Sequence, residues 1–199
     1  QLRSAKTLSI VLPLALLIVM LILYLQFGKF STVLVIYTGV FIAWSGGFLL
    51  IGLYNTDWFL NFSFFSIDLR ELFQIRTVNL SVAVWVGFIA LSGIATDDGV
   101  VMSEYISQQL EATKSFDRKS LFDAIIKAGE KRIRPCIMTT STTLLALTPV
   151  LTSDGRGSDV MLPMSIPSFG GMLIVIVSVF VVPVLTSIVE EYKLKKYLK

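Results

Sequence analysis

Five apolar runs divide this chain, at residues 7–26, 32–54, 80–102, 135–151 and 166–189. Each falls in the span of about 17–25 residues that a helix needs to cross a hydrocarbon core. The pattern predicts an all-α polytopic membrane protein of five transmembrane helices, with amphipathic helices at its surfaces. Pro13 predicts a mild kink in the first span. Gly46-Gly47 in the second and Gly170-Gly171 at the opening of the last, which also contains Pro183, would let a neighbouring helix approach closely. The fourth span carries a polar run, Thr139-Thr140-Ser141-Thr142-Thr143, near its start.

Two stretches between the spans have their own character. Residues 55–79 are first aromatic (Trp58, Phe59, Phe62, Phe64, Phe65) and then amphipathic, which places them at the outer membrane interface. There Asp68 and Glu71, three residues apart, predict a capping box on a short helix. Residues 107–131 read as a cytoplasmic surface helix or helix pair, with Leu121, Ile125 and Ile126 turned to the membrane or to neighbouring helices. The organisation is therefore two spans in 1–54, an interfacial loop at 55–79, a span at 80–103, a basic loop at 104–134, two spans in 135–190 and a basic tail at 191–199.

Composition supports a bilayer setting. The chain is 54% hydrophobic and 16% charged, against about a quarter charged in soluble domains, and its mean hydropathy is +0.77. The net charge of +3 is small and the cations are clustered, which speaks against nucleic-acid binding. One cysteine, Cys136, excludes an intrachain disulfide, and the absence of histidine argues against a zinc or haem site of familiar type. Lys114, Arg118, Lys119, Lys127, Lys131, Arg132 and Arg134 gather in the 104–134 loop, and Lys193, Lys195, Lys196 and Lys199 in the tail. With five spans these fall on one side, which the positive-inside rule makes cytoplasmic, so the N-terminus is expected in the periplasm and the C-terminus in the cytoplasm. The chain opens on Gln1, without an ordered signal segment, and is expected to be part of a longer polypeptide or a processed subunit.

The candidate chemistry begins with Asp97 and Asp98 in the third span. One Asp at the centre of a membrane helix costs about 2.5–3.5 kcal/mol on insertion scales, and such residues mark proton or ion pathways. At about 100° per residue, Asp97 and Glu104 share a face, while Asp98 is rotated by one step, so both acids meet one interior only obliquely. Gly93, one turn before Asp97, leaves room for a neighbouring helix. The functional reading is a carboxylate whose protonation is tied to conformation; the bland one is an inert polar seam closed by a neighbouring Thr. In the fourth span Cys136, Thr139 or Thr140, and Thr143 form a hydroxyl-rich stripe, suited to passing a proton or to gluing helices. Arg132 and Arg134 stand at its cytoplasmic mouth. Met161, Met164 and Met172 gather at the outer start of the last span, either as soft ligands for Cu(I) or Ag(I) or as ordinary core fillers.

Four stretches, in order, carry a family resemblance. They are Val11-Leu12-Pro13-Leu14 leading into Tyr24-Leu25-Gln26-Phe27-Gly28; Gly87-Phe88-Ile89-Ala90-Leu91-Ser92-Gly93-Ile94-Ala95; Arg132-Ile133-Arg134-Pro135-Cys136-Ile137-Met138-Thr139; and Gly157-Ser158-Asp159-Val160-Met161 with Pro167-Ser168-Phe169-Gly170-Gly171-Met172. With these, the chain resembles the C-terminal membrane half of a resistance-nodulation-division (RND) transporter of the heavy-metal efflux branch, CusA/CzcA type. The resemblance implies that the five spans are the eighth to twelfth of twelve. It implies a proton relay in which Asp97 takes the acidic relay position, Thr139 the relay threonine and Arg132 the accompanying arginine. It also matches Met161 to a methionine that hands copper or silver upward. It further implies a trimer in the inner membrane, joined to an N-terminal half with a porter domain, a periplasmic adaptor and an outer-membrane channel.

Departures stand beside the match. Cys136 occupies the place of a relay lysine, Asp98 is an extra acid, and residues 55–79 exceed the corresponding family loop. The expected function is the membrane portion of a proton-driven efflux pump for soft metal cations, with no cofactor beyond the proton-motive force. The alternatives are a scaffold subunit derived from a split transporter, or a relative that moves drugs, lipid or protein.

Overall fold

The computed structural model describes residues 2–61, 63–64, 67–112 and 118–197. Phe62, Phe65, Lys114 and Lys199, on which part of the aromatic and charge reading rests, lie outside the described residues. Among the described residues six helices appear in order: α1 (Leu2–Phe27), α2 (Phe30–Tyr54), α3 (Leu69–Leu72), α4 (Val82–Ala112), α5 (Arg118–Leu151) and α6 (Ser158–Tyr197). The helical class holds, with one small addition: β1 (Ser63–Phe64) pairs antiparallel with β2 (Ile67–Asp68).

Among the described residues four helices are long and apolar enough to cross a membrane, in α1, α2, α4 and α6. The fifth expected span, 135–151, lies in α5, whose apolar part is short and interrupted by hydroxyls. It nonetheless packs along α4 and α6. The expected surface helix at 107–131 is not a separate element among the described residues. Instead α4 runs on to Ala112 and α5 begins at Arg118, passing through Arg132 and Pro135 without a break. Leu121 and Ile125 are buried against neighbouring helices, as their helical spacing predicts, whereas Ile126 is exposed.

α2, α4 and α6 form the core because their small residues let backbones meet. A Cβ at Gly46 would lie 2.7 Å from the Gly170 carbonyl oxygen, and one at Gly171 would lie 2.9 Å from that of Ala43. Phe88, Leu91, Ile166, Met172 and Val175 fill the layer around this crossing. α1 is peripheral. It ends where Gly28 takes φ +61°. It meets the bundle through Val19, Met20, Leu23 and Phe27, against Val33, Ile36 and Val100, through the Leu16 carbonyl, which accepts from the Tyr37 hydroxyl, and through Gln26 Nε2, which donates to Glu104 at 3.1 Å.

The described residues of the 55–81 connection pack against the helix ends. Its Phe59, Leu60 and Phe73 pack on the core, and Ile75 is buried. Gln74 Nε2 donates to the Ser153 carbonyl (2.7 Å) and to Asp154, tying the connection to the α5–α6 turn. Arg70 pairs with Asp57 at 3.3 Å, and Asn55 Oδ1 accepts from the Val78 N–H at 2.9 Å. Trp58 stays exposed. Asp68 does occupy the N-cap position of α3, but its side chain makes no cap hydrogen bond, so the expected capping box does not form.

Candidate functional site

Helix α4 has two faces, and the adjacent acids divide between them. Val82, Val86, Ala90, Gly93, Asp97 and Glu104 are exposed, at helical spacings that trace one stripe. Asp97 therefore points out of the bundle. Gly93 lies on the same stripe, and a Cβ there would meet nothing within 4 Å. The neighbour that Gly93 was expected to admit is thus not among the described helices.

Asp98, one residue on, turns inward and is half-buried. It lines a cavity of about 10 Å³ with Gly39 of α2, Gly99 and Met102 of α4, and Ser178 and Val182 of α6, room for about one water. The Cys136 thiol on α5 lies beside the Asp98 carboxylate. One turn further along α5, Thr140 is fully buried on the same face, and its Oγ1 donates to the Cys136 carbonyl at 2.8 Å.

Thr139 is placed differently. It is exposed, and its Oγ1 donates to the Pro135 carbonyl at 2.9 Å. Among the described residues no hydrogen bond joins it to either aspartate. Arg132 sits one turn before Cys136, with its guanidinium 5.0 Å from the centre of the Tyr105 ring on α4, a cation–π contact that holds the two helices together at that level. Arg134 is exposed.

The three methionines do not converge. Met161 and Met164, one turn apart on α6, are exposed, while Met172 is fully buried in the core layer. The helical rotation of about 80° between positions 164 and 172 puts them on different faces.

Two features escaped the sequence reading. Asp98 and Cys136, noted there only as separate departures, face each other. The Trp44 indole N–H donates to Ser92 Oγ at 2.8 Å, a part-buried polar link between α2 and α4. The i, i+4 spacing of Cys136 and Thr140 was the available signal for the inward face of α5. Nothing in the sequence points to the Trp44–Ser92 pair, because it is made between helices.

The stretch that holds this cluster also carries the likeness to known proteins. Residues 72–190 match the family described as AcrB/AcrD/AcrF. The chain is 32% identical over 188 residues to the cation efflux system protein CusA of Escherichia coli K12, covering 91% of this chain and 16% of that protein. It is 31% identical over 188 residues to the putative cation efflux system protein SilA of Salmonella typhimurium, with 91% and 16% covered. Against the cobalt-zinc-cadmium resistance protein CzcA of Cupriavidus metallidurans it is 32% identical over 174 residues, covering 87% and 14%. The chain thus spans about one-sixth of the length of these curated relatives. With more than half of its residues inside the family match, the chain belongs to the AcrB/AcrD/AcrF family of RND transporters.

Proposed function

We propose that this chain is the membrane portion of a proton-driven exporter whose cargo is a soft metal cation, Cu(I) or Ag(I). The observation that carries the reading is the division of two adjacent acids across a membrane helix, Asp98 inward beside Cys136 and Asp97 outward. An acid facing acyl chains is costly, at about 2.5–3.5 kcal/mol. The stripe bearing Asp97 is therefore read as the face that the remaining spans of the transporter cover, not as a lipid face.

In this reading the ionised Asp98 holds the Cys136 thiol through a charge-assisted hydrogen bond, the stronger kind. Protonation removes the charge, weakens that bond and frees α5 to move against α4. A proton crossing the membrane supplies about 2.3 kcal/mol per 100 mV. Arg132, fixed on Tyr105, supplies positive charge one turn away, and Thr139 serves the outer face with Asp97. Met161 and Met164 offer thioethers to a soft cation, and Met172 is assigned to packing. The basic 104–134 segment and tail set the C-terminus in the cytoplasm. A trimer with an N-terminal half, periplasmic adaptor and outer-membrane channel completes the proposal; the names of the relatives support the export of cations.

The test is proton flux driven by Ag(I) or Cu(I) in proteoliposomes holding the whole transporter. Asp98→Asn and Asp97→Asn should each lower coupled flux at least tenfold while leaving assembly intact. Wild-type flux in both variants would overturn the relay and favour a scaffold role.

A further inference from the structure

The cavity beside Asp98 gathers hydrogen-bond acceptors and no spare donor. Asp98 stands on its α4 wall, Gly39 on its α2 wall, and Ser178, Val179 and Val182 on its α6 wall. Asp98 and Ser178 are the only lining residues with an oxygen in the side chain. Ser178 is buried, and its Oγ donates to the Val175 carbonyl at 2.8 Å. Its one hydrogen is thereby used, so towards the cavity it can only accept.

Pro183, inside α6, adds a second acceptor. Proline has no amide hydrogen, so the Val179 carbonyl lacks its usual partner four residues on. Val179 and Val182 both line the cavity, which puts the edge of α6 carrying that carbonyl on the side of Asp98. Three oxygens are too few for a hard divalent cation, which takes about six or more. They suit a buried water, which takes about 2–4 polar partners and fits a space of about 10 Å³.

The count of donors then depends on Asp98. While Asp98 is ionised, a water brings two O–H groups to three acceptors, and one acceptor is left unmet. Once Asp98 is protonated, its O–H donates to the water, and the water donates to the Val179 carbonyl and to Ser178 Oγ. Every group is then satisfied. The ionisable groups around Asp98 are Cys136 and Arg132 on α5 and Asp97 on its own helix; α2 and α6 put none on the cavity wall.

We propose that this cavity holds one ordered water through which protonated Asp98 bonds to α6, at the Val179 carbonyl and Ser178. The inference rests on the reading of Asp98 as an acid that takes up a proton, and it supplies that reading with a second helix. Protonation weakens the tie from α4 to Cys136 on α5 and completes one from α4 to α6. Ser178 and Pro183 are positioning residues in this exchange.

The experiment is infrared difference spectroscopy of the whole transporter in bilayers, between alkaline and acidic buffer. A carboxylic-acid C=O band that Asp98→Asn abolishes should appear on acidification, together with a water O–H band that shifts in oxygen-18 water. Gly39→Ala places a methyl group in the cavity, where its nearest neighbour is Val182 Cγ2 at 3.8 Å. It should abolish the water band and move the acid band to higher wavenumber. Gly52→Ala, with nothing within 4 Å, should leave both bands in place. Ser178→Ala should keep the water but move its O–H band to higher wavenumber, as one hydrogen loses its acceptor. An Asp98 acid band without a water band sensitive to oxygen-18 would overturn this inference alone, as would wild-type bands in Gly39→Ala. Absence of any Asp98-dependent acid band would overturn the relay reading and this inference with it.

Discussion

Gly87 offers the sharpest test of the packing that positions the acids. It lies ten residues before Asp97 on α4, facing α6. A Cβ there would stand 2.2 Å from the Met164 carbonyl oxygen and 2.7 Å from Pro167 Cγ. The first contact is with the backbone of a packed helix, which cannot swing aside as a side-chain tip would. Gly87→Ala therefore forces α4 and α6 apart by about 1 Å, an overpacking cost of about 1–3 kcal/mol. The same shift breaks the bond from Ser168 Oγ to the Gly87 carbonyl, 3.2 Å long, worth about 0.6 kcal/mol between membrane helices. Against this, Ala gains up to about 1 kcal/mol of helix propensity over Gly. Gly93→Ala on the same helix, with open space around it, collects that gain without the clash. Since the propensity contribution cancels between the two variants, Gly87→Ala should be less stable than Gly93→Ala by about 1.5–3.5 kcal/mol. Steric-trapping unfolding equilibria in bicelles measure this difference directly. A gap below about 0.5 kcal/mol would refute the close α4–α6 crossing.

Two further outcomes follow from the same geometry. Cys136 is only 4% exposed, so maleimide labelling in bilayers should be at least tenfold slower than after denaturation, and prompt labelling of the folded protein would place the thiol outside the α4–α5 seam. In the 55–81 connection, Gln74→Ala should speed limited proteolysis more than Arg70→Ala does. The first removes bonds to the α5–α6 turn, and the second an exposed ion pair worth about 0–1 kcal/mol. Equal protection in both variants would count against that tether.

How far the sequence discloses this molecule depends on the range of the interaction. α1, α2, α4 and α6 were legible because a span is written in consecutive apolar residues. So was the close approach at Gly46-Gly47 and Gly170-Gly171, since glycine in an apolar helix has few other uses. Gly93 shows the ambiguity left over: the same residue type, on the same helix as Gly87, faces open space. α5 was harder because its hydroxyls lower its hydropathy while local back-bonds, such as Thr140 to Cys136, keep it helical. The helix ends at 104–134 were misplaced because charge marks where a helix leaves the membrane, not where it stops. The two-residue hairpin lies below the length at which alternation is readable. Asp97, Asp98, Arg132 and Thr139 stand out in the sequence as polar groups in or beside apolar runs. Which of them meet was not legible, because that depends on helix rotation about a crossing set by residues elsewhere.

Rotation also gives the two family departures a common physical sense. In a bundle lined by Gly39, Gly99 and Val182, an extra carboxylate at position 98 has one face to occupy, and the neighbouring group on that face is Cys136. A lysine at position 136 would bring a full charge and a long stem to a buried position beside Asp98, where a thiol brings a small, weakly donating group. The small residue and the extra acid are thus complementary: the thiol leaves room for Asp98, and Asp98 supplies the acceptor for the thiol. An outward Asp97 then remains free for whatever covers the exposed stripe of α4. One helix can in this way present an acid to each of two neighbours, on faces that a single 100° step separates.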